Sequence, residues 1–286
     1  MGHLILNADD FGLTAGINRA IIELHRAGAL TSASLMAKAA ATDAAIELAL
    51  ATPSLGVGCH VVLVDGEPVL RAQDIPTLAD PRTCRFRPTP GAFLKRLLAG
   101  RIQNSEIEAE AAAQIALLQE RGLRLTHIDT HKHLHIFPAL LRPVLRAAKV
   151  AGIRAVRNPF EPEWSLRATH GAPWLRRLQM RMLRLLEPAF RRIVAKEGFA
   201  TTDGIIGALA TGTLDSNAVS SLLRNLPEGT WELITHPGYN DTDLDRVRTR
   251  LRASREVELE ALRAAEQFPE IERITFADLH SASSAR

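Results

Sequence analysis

Short apolar runs of β character alternate with helical stretches along most of this chain, and that alternation limits the fold more than any other feature. The runs are His3–Ala8, Leu30–Leu35, Val57–Val64, Arg124–Asp129, Ile153–Arg157, Gly204–Ile206, Trp231–Thr235 and Arg273–Phe276. Between them, Ala15–Arg26 places Ile17, Ile21, Ile22 and Leu24 on one side and stops at Gly28, a natural helix end. Ser105 followed by Glu108 reads as a capping box opening a helix to Arg121. Pro138–Val150 and a long charged stretch, Asp243–Gln267, complete the clearer helices. Strands alternating with helices build βα units around a parallel sheet. Eight such units predict a single-domain α/β fold, a distorted TIM-like (β/α) barrel over residues 1–286. A doubly wound open sheet is the rival, but no G-x-G-x-x-G follows the first strand.

The bulk numbers agree with one large core: 286 residues, 46% hydrophobic. A net charge of +3 with no basic run interleaved with aromatics gives no reason to expect nucleic acid as a partner. Two cysteines, Cys59 and Cys84, are not a disulfide framework. The apolar start of the chain is cut by Asn7, Asp9 and Asp10, so it reads as neither signal peptide nor membrane span, and the cytoplasm is the expected location.

In a (β/α) barrel the chemistry sits at the carboxyl ends of the strands. Asp9 and Asp10 end the first run, His60 lies in the third, Asp129 and His131 end the fourth, Arg157 and Asn158 the fifth, and His236 the seventh. Adjacent acids can divide roles, one holding a metal and one acting as a base; a turn or helix cap would use them too. His60 alone, in an apolar run, is what a hydrogen-bonded core histidine looks like. The stretch from Thr126 to His135 is more pointed, with four of the ten histidines inside nine residues. If extended, it puts His127, Asp129, His131, His133 and His135 on one face and Lys132 on the other. That density of imidazole and carboxylate suits one divalent ion, Zn, Mg, Mn or Co.

These segments together resemble the YdjC-like carbohydrate deacetylases. The resemblance rests on Asn7-Ala8-Asp9-Asp10-Phe11-Gly12, Gly58-Cys59-His60, the Thr126–His135 stretch, and His236-Pro237-Gly238, in that order. It departs at Cys59, where a larger residue is common, and at Lys132, where histidine is frequent. It implies a distorted barrel, a divalent metal, His60 and His131 as metal ligands, and an essential acid pair at Asp9 and Asp10. The mechanism expected is hydrolysis of an N-acetyl group on an amino sugar. Asp10, His60 and His131 hold the metal, Asp9 is the base, and His236 is the acid. Asp129, His133 and His135 support the ligands, and Arg157 and Asn158 contact sugar or acetyl oxygens. A different barrel metallohydrolase, such as a phosphoesterase or amidohydrolase, and a non-enzymatic metal or lipid carrier are the alternatives.

Further segments, from Val61 to Leu70, Ile75-Pro76, Arg85-Phe86-Arg87 and Pro173-Trp174-Leu175-Arg176, are similar to a hopanoid-biosynthesis-associated branch. That branch implies a lipid-linked substrate, an N-acetylglucosaminyl hopanoid. The stretch Trp174–Lys196 then draws notice as a basic amphipathic helical insertion at about 173–197. Its six arginines and one lysine face one acid, Glu187, for a local charge of +6 against −3 in the rest of the chain. Pro188 should kink or split it. Two readings stand: an outer barrel helix packed on the core with a solvated basic face, or a surface that contacts anionic membrane at the inner leaflet. A homodimer is compatible with either.

Overall fold

In the computed structural model, which describes residues 2–279, the strands in chain order are β1 (Gly2–Phe11), β2 (Ser32–Leu35), β3 (Gly56–Val61), β4 (Ala79–Asp80), β5 (Arg85–Phe86), β6 (Ile128–Thr130), β7 (Gly204–Ile206), β8 (Gly229–Thr235) and β9 (Glu272–Arg273). The main sheet is parallel, in the order β6-β3-β2-β1-β8-β7, with β9 beside the start of β1. β4 and β5 form a separate antiparallel pair. All eight residues from Leu4 to Phe11 are buried, as expected where helices cover a parallel sheet on its outer side and side chains fill its inner side.

The sheet curls into a distorted barrel, and the expected α/β barrel class is what the chain adopts. Closure between β6 and β7 is irregular. The expected strand Ile153–Arg157 is reduced to single parallel bridges, Val156 with Ile128 and Ala155 with Ala200. Beyond it, Ile205 N donates to Phe160 O at 3.1 Å. Pro159 has no N–H to donate, so a regular ladder is interrupted between Asn158 and Phe160.

Helices lie between the strands and cover the outside. Ala15–Arg26 is capped by Thr14, whose hydroxyl accepts from Ile17 N. The helix predicted from Ser105 spans Asn104–Glu120 and has no side-chain cap. Its acids are claimed by distant partners: Glu106 accepts from Thr77 N and Leu78 N, and Glu108 from Arg146. The long helix predicted over Asp243–Gln267 is broken into a short turn at Leu244–Arg246, a helix at Ala253–Leu262 and a further turn at Arg263–Gln267. Between 243 and 252 only Leu244, Val247 and Leu251 are apolar, too few to pin a helical face to the core.

The basic stretch is divided at Pro188 as expected, into helices Trp174–Leu183 and Glu187–Glu197 joined by a turn. The second helix packs through Phe190, Ile193 and Val194. The first has no buried residue at all. Among the described residues no helix is long and apolar enough to cross a membrane.

Candidate active site

The end of β1 is where the site begins. The pairing register between β1 and β2 shifts between Ala8 and Phe11, and Asp10 has φ +65°. Consecutive side chains of an extended strand point to opposite faces. This bulge breaks the alternation and brings both acids toward the same histidine, a known use of bulges at sites of chemistry. Asp10 Oδ1 lies 3.9 Å from His60 Nε2 and 3.4 Å from His131 Nδ1. The two imidazole nitrogens are 3.2 Å apart. Gly58 makes room two residues before His60, since a Cβ there would meet the His127 ring at 2.4 Å.

Two edges of the triangle formed by Asp10 Oδ1, His60 Nε2 and His131 Nδ1, 3.2 and 3.4 Å, are close to what a cation needs, and the third, at 3.9 Å, is wider. Metal–nitrogen and metal–oxygen bonds of about 2.0–2.1 Å at tetrahedral angles require ligand edges of roughly 3.3–3.4 Å. His60 is also set up on its far side: Nδ1 faces both oxygens of Asp129, at 2.9 and 3.0 Å. With its proton held there, Nε2 keeps a lone pair for an ion. Burial disfavours an imidazolium at His60, but Asp129, Asp9 and Asp10 outweigh it and push the group up to about 9. A divalent cation bound there would take the place of that positive charge. The residues present therefore fit a divalent metal.

Behind the triangle sits a guanidinium that the sequence reading assigned to substrate. Arg157 is fully buried. It clamps Asp9 with two hydrogen bonds, 2.7 and 3.0 Å, donates to Glu232 Oε1 at 2.8 Å and pairs with Asp129. Its charge is spent on carboxylates rather than on sugar or acetyl oxygens, which corrects the earlier expectation. Burial works against ionisation of Asp9 and Asp129, and Arg157 with His60 overcomes it, so both lie below the ordinary carboxylate range. Asn158 is likewise turned inward, donating to Thr202 O and accepting from Phe160 N. It holds backbone, not substrate.

On the opposite side His236 follows β8, with Nε2 3.8 Å from Asp9 Oδ2 and Nδ1 3.7 Å from Glu258 Oε2. Burial disfavours its charged form, yet Glu258, Asp9 and Asp10 prevail and raise its pKa. Arg255 donates to Asp10 Oδ2 at 2.6 Å. The neighbouring acids thus belong to different arginines, Asp9 to Arg157 and Asp10 to Arg255.

The histidine-rich segment departs from its expected form. Only Ile128–Thr130 is extended; Lys132 and His133 take left-handed backbone, φ +58° and +53°, and the chain turns. The shared face of five side chains is therefore lost. His131 faces His60, while Lys132 reaches Asp65 at 2.6 Å. His135 Nδ1 meets Thr130 Oγ1 at 2.8 Å, and its ring lies near those of His133 and Phe190. Burial pushes His133 down to about 3 and His135 to about 4, so both are neutral. His127 is a core residue stacked on Phe276.

Arg255, Glu258 and Glu232 escaped the sequence reading. Glu232 had a signal, an acid inside the apolar run Trp231–Thr235. Arg255 and Glu258 had none, because their surroundings from Arg252 to Arg263 carry many charges.

Fold and site define a (β/α) barrel protein with a largely buried Asp-His-His cluster, Asp10, His60 and His131, at the carboxyl ends of its strands. The profile of the YdjC-like proteins matches residues 3–271, and the chain belongs to that family. A carbohydrate deacetylase of Thermoanaerobacter pseudethanolicus is 26% identical over 265 residues, covering 92% of this chain and 91% of that protein. A human carbohydrate deacetylase is 31% identical over 249 residues, covering 82% and 75%. One from Brevibacillus brevis is 43% identical over 157 residues, which span 55% of this chain and 59% of that protein. Among solved structures, an Enterococcus faecalis V583 protein described as a cellobiose-phosphate cleavage protein superposes with a TM-score of 0.77 at 24% identity, covering 97% of this chain and 98% of the other. That likeness concerns the fold.

Proposed function

We propose that this chain is a metal-dependent carbohydrate deacetylase that hydrolyses the N-acetyl group of an acetylated amino sugar. The observation that carries the proposal is the triangle of Asp10, His60 and His131 at strand ends, flanked by a second acid, Asp9, and a second histidine, His236. The family relatives named as carbohydrate deacetylases support the reaction class.

In this reading Asp10, His60 and His131 hold the ion, and three protein ligands leave coordination positions free. A divalent ion there supplies a Lewis acid for the amide carbonyl and lowers the pKa of water. Asp9 takes the proton of the attacking water, and Arg157 keeps it ionised and fixed. His236, whose acid neighbours favour its protonated form against burial, is the group placed to give a proton to the departing amine, a poor leaving group otherwise. A two-ion phosphoesterase is less well supported. The other candidate cluster among the described residues is Asp9, His60 and Asp129, and Arg157 already pairs with both of those acids.

The finer substrate proposed is a lipid-linked one, an N-acetylglucosaminyl hopanoid, reached by a cytoplasmic protein at an anionic membrane surface. Support comes from the outward stripe of Trp174, Leu175, Leu178, Met182 and Leu185, each 47–71% exposed, in a stretch of net positive charge. The test is acetate release and product mass with the N-acetylglucosaminyl hopanoid beside a soluble chitooligosaccharide, before and after chelation, with elemental analysis for Zn, Mg, Mn and Co. Turnover of both substrates unaffected by complete metal removal would sink the metal reading. Turnover of the soluble sugar alone would sink the lipid one.

A further inference from the structure

The helix Ala253–Leu262 does more than cover the barrel. Arg255 and Glu258, one turn apart, are both almost fully buried, at 1% exposure each. Glu258 Oε2 accepts from His236 N at 2.6 Å and Oε1 accepts from Gly212 N at 3.2 Å. Arg255 spreads its donors over Leu251 O, His236 O and Asp10 Oδ2. Its own carbonyl accepts from Gly238 N. Gly238 is small where this contact is made, since a Cβ there would stand 3.2 Å from Arg255 Cδ and 2.8 Å from Ile17.

The geometry at Asp10 divides its two oxygens. Oδ2 accepts a charge-assisted hydrogen bond of 2.6 Å from Arg255, while Oδ1 faces His60 and His131. A free carboxylate binds a divalent ion through one oxygen or both. We propose that Arg255 is a positioning residue which claims Oδ2 and so restricts Asp10 to one-oxygen ligation, preserving coordination positions for water and the acetyl carbonyl. This inference rests on the metal reading above and goes beyond it. It assigns to a residue that touches neither substrate nor ion the control of how many ligand atoms the protein presents. A buried arginine beside a ligand carboxylate lowers the anionic character of the site, which weakens ion binding while keeping coordination open.

The test compares wild type with Arg255→Met and Arg255→Lys, each stripped of metal and refilled with Co(II). Three quantities are read: Co(II) affinity by competition with a chelator, the visible absorption band, and kcat and KM on a soluble N-acetylated sugar oligomer. Arg255→Met is expected to bind Co(II) at least as tightly as wild type. Its visible band should weaken, because absorption falls as coordination number rises, and kcat should drop roughly 10–100-fold, the usual cost of losing a partner of a metal ligand. Arg255→Lys, which still donates one charged hydrogen bond, should restore the band. A wild-type Co(II) band in folded Arg255→Met protein overturns the proposal whatever the rate, and so does loss of Co(II) binding in that variant. If Arg255→Met does not fold, Arg255→Lys decides by rate: its kcat should stay within about threefold of wild type, and a larger loss with an unaltered band overturns the proposal. Wild-type protein that binds no Co(II) overturns the metal reading itself, and this inference with it.

Discussion

His60 and Asp129 stand directly opposite each other in the register of β3 and β6, and their side chains meet at 2.9 Å. Strand pairing thus delivers a histidine already matched to its carboxylate before any cation arrives. Asp129→Asn would turn its amide oxygen to the donors of Arg157 and its NH2 to His60, so that His60 Nδ1 must accept and its proton moves to Nε2. Metal affinity is expected to fall roughly 10–100-fold, and His60→Ala should cost more than that. Competition with a fluorescent chelator measures both. Equal affinity in wild type and Asp129→Asn would show that the pair does not orient the ligand.

The two neighbouring acids should separate under mutation. Asp10→Ala is expected to lose bound metal and activity together. Asp9→Asn should retain metal, because Asp9 is clamped by Arg157 and lies outside the triangle, yet lose rate by about 10²–10⁴-fold, the range of general base catalysis. Elemental analysis beside steady-state kinetics distinguishes them. Full activity in either variant is incompatible with the division of labour.

Glu232 gives a pH signature. Burial raises this carboxyl to about 7 despite the opposing pull of Arg157. Its Oε2 is buried without a hydrogen-bond partner, a position where the protonated form fits. A carboxyl whose folded pKa lies above its ordinary value of 4.5 binds its proton better in the folded state. Its stabilising contribution is complete below about pH 4.5 and is lost as pH rises toward 7. The stability of wild type relative to Glu232→Gln should therefore decline with pH in that window, by about 1.4 kcal/mol per pH unit at the steepest, and be flat above it. Denaturant unfolding of both proteins at a series of pH values reads the difference. A constant difference from pH 4 to 8 would rule the shift out.

The parts of this molecule that were legible in the sequence are those with period or position. The (β/α) alternation, the split at Pro188 and the acids and imidazoles at strand ends could be read because each is a local pattern. The bend at Lys132 could not, since nothing local announces left-handed backbone at a lysine and a histidine; it follows from the Lys132–Asp65 pair and from the packing of His135. Arg157 stands out in the sequence, but its partners do not. An arginine at a strand end looks the same whether it waits for substrate or neutralises three acids, and only the convergence of β1, β6 and β8 decides. Arg255 was invisible for a related reason. It is 245 residues from Asp10, and a charged helix face in sequence does not reveal which of its charges is turned inward.

The helix Trp174–Leu183 and its following turn carry the last expectation. The reading in which its apolar residues pack on the core holds only in part: Met180, Leu183 and Leu186 lean on the core, whereas Trp174, Leu175, Leu178, Met182 and Leu185 are all exposed. Spacings of three and four put them on one side of the helix. Its arginines face elsewhere. Arg176 donates to Thr211 O and Ala208 O, Arg177 to Leu166 O and Thr169 O, and Arg181 pairs with Glu163. They fasten the helix to the barrel while leaving the stretch positively charged, so replacing them would loosen the element under test. The apolar stripe is the better target. An interfacial helix binds through buried apolar area assisted by attraction to anionic headgroups. Wild-type protein should cosediment with phosphatidylglycerol vesicles more than with phosphatidylcholine vesicles, and less at high salt. Leu178→Gln with Met182→Gln and Leu185→Gln should abolish that binding while leaving turnover of a soluble sugar within about twofold, since none of the three touches the site. If the stripe is covered instead by a second copy of the chain, wild type will sediment as a dimer, the triple variant as a monomer, and vesicles will make no difference to either.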